Sequence, residues 1–248
     1  MKYTKLDRYV EGADPKFWVV SDSGEQFLVK TGEKNKASPY TEHIASKFLN
    51  LLGIDTHHTE LGSFDGTSCV FCKDICVEGQ LLRPYLDISD SLITPTSRIG
   101  FEYSTSHILE ILQSEEERDF FFKMLIGDAL IGNGDRHGGN WGFLYKYNGE
   151  RVFAPLYDNE KSFRSQDVRC AIRVPNDSNY PELMKFDKLF SSLRDPLFVY
   201  LATGILEKDI KSVALEATTE IPNSLRDLVI NYICSRIPIL KGALRNRV

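Results

Sequence analysis

Residues 132–158 constrain the fold of this chain more than any other stretch. They read Gly132-Asn133-Gly134-Asp135-Arg136-His137-Gly138-Gly139-Asn140, then Trp141–Tyr147, Asn148-Gly149, Glu150–Leu156 and Tyr157-Asp158. Asn148-Gly149 signals a two-residue type I′ hairpin turn, in which both positions need positive φ. The flanks suit strands: Trp141, Phe143, Leu144, Tyr145 and Tyr147 lead in, and Val152 and Phe153 lead out. Pairing outward from Tyr147 and Glu150 sets Asn140 opposite Tyr157, next to Asp158. Cross-strand neighbours lie ~5 Å apart and diagonal ones ~7–8 Å. An amide oxygen and a carboxylate thus meet at the base of one hairpin, close enough to share a hard cation such as Mg²⁺. Asp135 sits on the loop that feeds the same hairpin.

An Asp-x4-Asn spacing followed by a second Asp after a hairpin is how protein kinases place three polar groups. The first Asp orients the acceptor hydroxyl, and the Asn and the later Asp hold Mg²⁺ against the triphosphate. The competing reading is a plain polar loop. In it Asp135 and Asn140 are turn residues and Gly138-Gly139 only relax the backbone.

The first hundred residues read as strands with one helix. Phe17–Val20 and Gln26–Lys30 flank the polar turn Ser21–Glu25, a hairpin pattern. Ahead of it, Glu11-Gly12-Ala13-Asp14-Pro15-Lys16 is either a plain loop or one whose Gly12 backbone and Lys16 ammonium lie over phosphates. Ser38-Pro39 is a helix start, with Ser as N-cap and Pro at N1, and Gly53 is the natural stop. Between them Glu42, Ala45, Leu49 and Leu52 fall on one helical face. Glu42 therefore lies on the inward stripe, where a lone carboxylate is costly, and a partner is expected. Lys30, at the end of an apolar strand just before this helix, is the candidate. Taken alone, Lys30 reads first as a strand-end lysine that snorkels to solvent. A strand lysine paired to a helix glutamate is the kinase device for placing the α- and β-phosphates.

Thr59–Phe64, a turn at Asp65-Gly66, and Cys69–Ile75 add strands, and Leu81–Asp87 with Pro84 reads as linker. The lobe boundary is accordingly set at 1–82 and 83–248. Beyond it the chain turns helical. Ser114 precedes Glu115-Glu116-Glu117, acids suited to the positive end of a helix dipole. The run to Ile131 is apolar nearly all round, the mark of a buried central helix ending at Gly132. Asn223–Ile237 reads as a helix stopped by Pro238, and Ile205–Ala217 holds one more.

Charge and cysteines narrow the classes. A net charge of −5 argues against a general nucleic-acid or membrane-surface binder, and no stretch approaches the ~20 apolar residues of a membrane span. The N-terminal Met1–Arg8 has no apolar core of a secretory signal. Five cysteines do not make a paired framework, so reduced thiols in the cytoplasm are expected. Cys69-x2-Cys72-x3-Cys76 lacks a fourth ligand at zinc spacing and reads as a buried strand.

On these residues the chain resembles the HipA-like serine/threonine kinases, most nearly those of the CtkA type. The likeness rests on the run Gly132–Leu144, on Ala154-Pro155-Leu156-Tyr157-Asp158, on Phe27-Leu28-Val29-Lys30, on Glu42 and on Leu52-Gly53-Ile54. Asp-Arg-His-x-x-Asn is also similar to the phosphatidylinositol kinases. The resemblance implies an α+β, bilobed protein-kinase-like fold with a strand-rich N-lobe and a mostly helical C-lobe. It also implies ATP, Mg²⁺ and transfer to a Ser or Thr hydroxyl of a protein. Asp135 becomes the catalytic residue and Asn140 and Asp158 the metal ligands. Lys30 contacts phosphate, held by Glu42, and Gly12 and Lys16 belong to the nucleotide loop. His137 supports the turn at Asp158. Arg136 either braces the loop or faces solvent.

Two departures stand out. Asp158 is followed by Asn159-Glu160 rather than Phe-Gly. The full-length HipA toxin also carries an N-terminal subdomain that this chain is too short to include, so the implied partner is an antitoxin or a small separate subunit. The alternatives are a small-molecule or lipid kinase, since any hydroxyl acceptor uses the same parts, and a nucleotide-binding pseudokinase serving as an interaction module.

Overall fold

A computed structural model describes residues 2–10, 15–77, 79–92, 105–163, 171–173, 183–185, 193–205, 207–216 and 221–245. Strands β1 (Tyr3–Lys5), β2 (Lys16–Ser21), β3 (Gln26–Thr31), β4 (Thr59–Phe64) and β5 (Thr67–Lys73) form one antiparallel sheet in the order β1-β2-β3-β5-β4. Helix α1 (Ser38–Leu51) crosses from β3 to β4. The expected β2–β3 hairpin forms, with Lys16 opposite Lys30 and Val20 opposite Gln26. Alternation puts Val19, Phe27, Val29, Cys69 and Phe71 on one face, where they form a small core of their own. Tyr3 stacks on Phe71 at 4.5 Å and Phe17 meets Phe64 at 4.8 Å, so residues from non-adjacent strands close over this face. Lys16, Trp18, Leu28, Lys30, Val70 and Cys72 occupy the other face. Cys69 and Cys72 thus point to opposite sides of the sheet and do not converge on a metal.

The second half is helical around a small sheet. Helices α2 (Tyr85–Leu92), α3 (Thr105–Ile111), α4 (Glu115–Ile131), α5 (Pro196–Gly204), α6 (Glu207–Glu216) and α7 (Asn223–Arg245) accompany strands β6 (Gln80–Pro84), β7 (Gly142–Lys146) and β8 (Arg151–Phe153). A further pair, β9 (Ala171–Arg173) and β10 (Leu183–Lys185), is antiparallel. Helix α4 follows the sequence rules. The Ser114 side chain accepts the Glu117 N–H, and Gly132 caps the other end at φ 64°. Its Phe121, Met124, Leu125, Ile126, Leu130 and Ile131 are buried, as expected of a central helix. Leu49 and Ile54 press on Gly127 so closely that a Cβ there would lie 2.6 Å from Leu49 Cδ2. The main core therefore runs unbroken from α1 into α4. Trp141 fills its centre, stacked on Tyr85 at 4.4 Å and on Phe153 at 5.4 Å.

Several expectations are corrected. Leu81–Asp87 is no linker: β6 pairs with β7, Leu82 opposite Leu144, and α2 follows at once. Pro84 is tolerated because it ends an edge strand. The boundary set at 82/83 therefore falls inside β6. The hairpin carrying the site is out of the expected register by one residue. Phe143 faces Phe153 and Tyr145 faces Arg151. Among Tyr147, Asn148 and Gly149 only the glycine takes positive φ, at 85°. Asn148 instead turns its side-chain oxygen onto the Glu150 N–H at 3.1 Å, giving a three-residue loop with a glycine bulge. The two-residue turn with positive φ at both positions occurs at Asp65 (49°) and Gly66 (78°). Helix α1 begins after Ala37, with no side-chain cap. Helix α7 runs through Pro238: buried Val229, Ile233 and Ile237 lead up to the proline, and Ile239 beyond it still packs against the core.

Candidate active site

The site forms where α1, β3 and the segment after β8 meet. A parallel bridge between Thr56 and Leu156 brings them together, with the His57 N–H on Leu156 O at 3.0 Å and the Leu156 N–H on Asp55 O at 2.9 Å. This ties the chain leaving α1 to the residue two before Asp158.

Glu42 is fully buried and finds the partner its position on the stripe required. Lys30 Nζ donates to its Oε2 at 2.7 Å. His57 Nε2 and the Asn159 N–H both reach its Oε1 at 2.9 Å. Burial works to raise the Glu42 carboxyl, but Lys30 and His57 outweigh it and hold it well below the usual carboxylate range. A carboxylate only accepts, so His57 donates through Nε2.

The same ammonium meets Asp158. Lys30 Nζ lies 2.7 Å from Asp158 Oδ1 and 3.7 Å from Glu160 Oε2. Burial opposes charge on Lys30, yet its carboxylate partners raise its pKa well above that of a free lysine. Burial likewise pushes Asp158 up, and Lys30 more than reverses this, leaving the carboxyl lowered. Lys16 adds to that attraction from the first position of β2, opposite Lys30. In Glu160 burial prevails over Lys30 and the carboxyl is raised. One oxygen from each of Glu42, Asp158 and Glu160 lies within 4.8 Å of the others. Asp158 has φ 60°, a left-handed conformation that Asp tolerates better than most side chains.

The Asp135 loop has a different character. Asp135 is exposed. Its N–H is held by Asn133 Oδ1 at 3.1 Å, and its carboxylate has no hydrogen bond or ion pair among the described residues. Asn140 is buried and donates Nδ2 to Asp135 O at 2.9 Å. That bond fixes which way the amide points and leaves Oδ1 for another partner. An amide oxygen such as Asn140 Oδ1 and a carboxylate oxygen such as that of Asp158 are the donor types a hard divalent cation takes.

His137 is a correction. It is exposed and its Nδ1 accepts the Gly139 N–H at 3.1 Å, so it supports its own loop, and among the described residues its side chain has no hydrogen bond to the Asp158 turn. Arg136 supports that turn, which settles the two readings of this residue. Its guanidinium is buried, donates through Nε and Nη2 to Asp128 at 3.0 Å each, through Nη1 to Asn140 O at 2.9 Å and to Tyr157 O, and through Nη2 to Asn159 Oδ1. Burial is the largest influence on Asp128 and raises its carboxyl against the pull of Arg136. Tyr157 OH adds a bond to Gly139 O at 3.1 Å.

Lys30, Glu42 and Asp158 are thus brought together, with Lys16 close by, while Asp135 and Asn140 are joined to each other. Gly12 lies outside the described residues. His57 and Asp128 were given no role from the sequence, and Asn159 and Glu160 stood out there only as a departure from Phe-Gly. The inward stripe of α1 was the one available signal, because it demanded partners for Glu42 without naming them.

Comparison with known proteins fits this arrangement. The family described as the HipA-like C-terminal domain matches residues 9–224. The serine/threonine-protein kinase CtkA of Helicobacter pylori is 30% identical over 165 residues, which are 60% of this chain and 50% of that protein. The chain thus spans about half the length of that relative. The crystal structure of a Helicobacter pylori proinflammatory kinase CtkA superposes with a TM-score of 0.78, over 99% of this chain and 97% of that one, at 18% identity. HipA of Shewanella oneidensis MR-1, solved with HipB and operator DNA, superposes with a TM-score of 0.56 over 96% of this chain and 65% of that one, at 14% identity. These superpositions establish the bilobed kinase-like fold, with its strand-rich first half and helical second half.

Proposed function

The chain belongs to the HipA-like C-terminal domain family, and from that premise we propose that it is an ATP- and Mg²⁺-dependent kinase. It transfers the γ-phosphoryl group to Ser or Thr hydroxyls of a protein. The observation that carries the reading is the Lys30 ammonium, held between Glu42 and Asp158 at 2.7 Å from each. One buried cation there links a strand, a helix and the carboxylate at the base of the hairpin.

Each residue then has a task. Lys30 binds phosphate oxygens, and Glu42 holds it in place. Lys16 lies on the same face of the sheet, suited to a phosphate, and the loop containing Gly12 leads into it. Asn140 Oδ1 and Asp158 hold Mg²⁺. The Asp135 carboxylate, exposed and unpaired among the described residues, accepts a hydrogen bond from the acceptor hydroxyl, aims its oxygen at phosphorus and takes up its proton as the bond forms. ATP supplies the phosphoryl group and Mg²⁺ the charge that offsets the one developing on its oxygens. Positioning and electrostatics provide most of such a rate enhancement. We place the division between the lobes in the connection from β5 to β6, because β6 pairs with β7.

The proposal extends to a protein substrate and a small partner subunit or antitoxin, in the cytoplasm, without direct contact to nucleic acid. The Shewanella HipA belongs to a toxin–antitoxin system and is bound to HipB in its crystal. Incubation with radiolabelled ATP, with and without a generic protein acceptor, tests the reaction. Label on protein supports it. Label only on small hydroxyl compounds or lipid would replace it with the small-molecule or lipid kinase. Nucleotide binding without turnover would make the chain a pseudokinase.

A further inference from the structure

The position after Asp158 is unusually well tied. Asn159 is fully buried and every polar group it carries is engaged. Its N–H donates to Glu42 Oε1 at 2.9 Å, and its Nδ2 donates to Ser46 Oγ at 3.0 Å, both on α1. Its Oδ1 accepts from Arg136 Nη2. Its carbonyl accepts from Ser162 Oγ at 2.6 Å. The same Arg136 guanidinium holds Asn140 O and Tyr157 O and is anchored on Asp128 of α4. One residue therefore connects the glutamate that orients Lys30, through its backbone N–H, to the arginine that shapes the loop of Asp135 and Asn140, through its side-chain oxygen. An amide suits this place because it donates toward a hydroxyl and accepts from a guanidinium at once. An apolar side chain here would leave Arg136 Nη2 and Ser46 without that partner in a buried region.

We propose that Asn159 is a positioning residue that couples the docking of α1 to the geometry of the phosphoryl-transfer loop. The phosphate-side pair Lys30–Glu42 and the metal-side pair Asn140–Asp158 then adopt their working arrangement together. The inference rests on the kinase reading for its catalytic consequence, but the coupling itself is a property of the fold. Both ends of the segment are held in left-handed conformations, Asp158 at φ 60° and Phe163 at 62°, the latter with its N–H on Ile131 O at 2.6 Å. Such conformations persist only where the surroundings over-determine them. The segment is therefore fixed against α4 and joined to α1 through Asn159.

Two variants test this. Asn159→Ala removes the side-chain link from Ser46 to Arg136 and keeps the backbone N–H on Glu42, and Ser46→Ala removes only the side-chain contact to α1 while leaving Arg136 satisfied. Amide hydrogen exchange of α1 is measured with and without saturating Mg²⁺ and a non-hydrolysable ATP analogue, alongside kcat and KM for ATP. In the unmodified protein the analogue should slow exchange across residues 42–51. In both variants the analogue should still bind, but slow exchange in α1 by less than a third as much. Turnover by Asn159→Ala should fall roughly 10- to 100-fold, the scale of a misplacement of about 1 Å. Equal protection of α1 in the unmodified protein and in Ser46→Ala, with kcat unchanged, would overturn the coupling, even if Asn159→Ala did not fold. A purely structural role would lower thermal stability and leave both protection and kcat of the folded protein intact. If the unmodified protein transfers no phosphate, the kinase reading fails and the exchange measurement still decides on Asn159.

Discussion

Asp135 and Asp158 are two carboxylates near the base of one hairpin, in opposite surroundings. Asp158 is paired to Lys30 and carried on a segment that Arg136 holds in place. Asp135 stands in solvent, and only its backbone is fixed, by Asn133 and Asn140. The contrast separates two requirements. A group that must meet an incoming hydroxyl needs a free carboxylate on a rigid backbone. A group that must hold a cation at one point needs its charge stabilised and its direction fixed. The first carries almost no burden in folding, whereas the second is built into the core.

The largest expected effect lies on the exposed side. Asp135→Asn should lower phosphoryl transfer by ~10²- to 10⁴-fold, the usual range for such a group, while stability changes by no more than about 0.5 kcal/mol, as is usual at an exposed position. Turnover within about threefold of the unmodified protein would remove Asp135 from the chemistry and erase the contrast.

The reverse pattern is expected at Arg136. Arg136→Met should destabilise by roughly 3–5 kcal/mol, because Asp128 is left buried without its counter-charge. Denaturant unfolding measures this. A loss below about 1 kcal/mol would mean that the arginine does not anchor the turn.

Nucleotide binding sharpens the comparison between the two residues proposed to hold Mg²⁺. Asp158→Ala should weaken Mg²⁺-dependent ATP binding about 10- to 100-fold, and Asn140→Ala less, since a carboxylate neutralises cation charge and an amide does not. Titration with Mg²⁺ and with EDTA separates the two. Normal Mg·ATP binding by the Asp158 variant would show that no cation is shared there.

The smallest effect concerns pH. Burial lowers the His43 pKa to about 4, and its Nδ1 bonds Thr59 Oγ1 at 2.9 Å. A histidine whose folded pKa is depressed binds its proton more readily when unfolded. Stability is therefore lost as pH falls from about 6.5 toward 4. Between pH 7 and 5.5 this amounts to about 1 kcal/mol. His43→Gln should flatten the stability profile over that interval. At lower pH the sign is the same for Glu42 and Asp158, whose depressed pKa values favour folding above the ordinary carboxylate range. Glu160 is raised and acts the other way.

Some of the site was legible before any coordinates. The spacing of Asp135, Asn140 and Asp158 and the stripe that put Glu42 inward named four residues of the candidate site, and Lys30 is the partner that stripe demanded. The β2–β3 hairpin, the Ser114 cap and the central helix also followed from local pattern. Each of these is settled by rules that act over one turn or one strand pair: periodicity, capping and the φ that a residue tolerates.

The remainder was decided by packing between distant segments. Asn148 kept a negative φ and bonded its own loop, and this moved the hairpin register by one residue. Pro84 ended a strand because β7 offered β6 an edge. His137 yielded the bracing role to Arg136, whose partners Asp128, Asn140, Tyr157 and Asn159 lie on a helix, a loop and the chain beyond a hairpin. By itself the sequence marked the candidate polar groups and the faces that turn inward, because side-chain type and backbone periodicity are local. Only the tertiary structure decided which buried donor meets which buried acceptor. That choice depends on satisfying every polar group removed from water at once, and no local pattern specifies it.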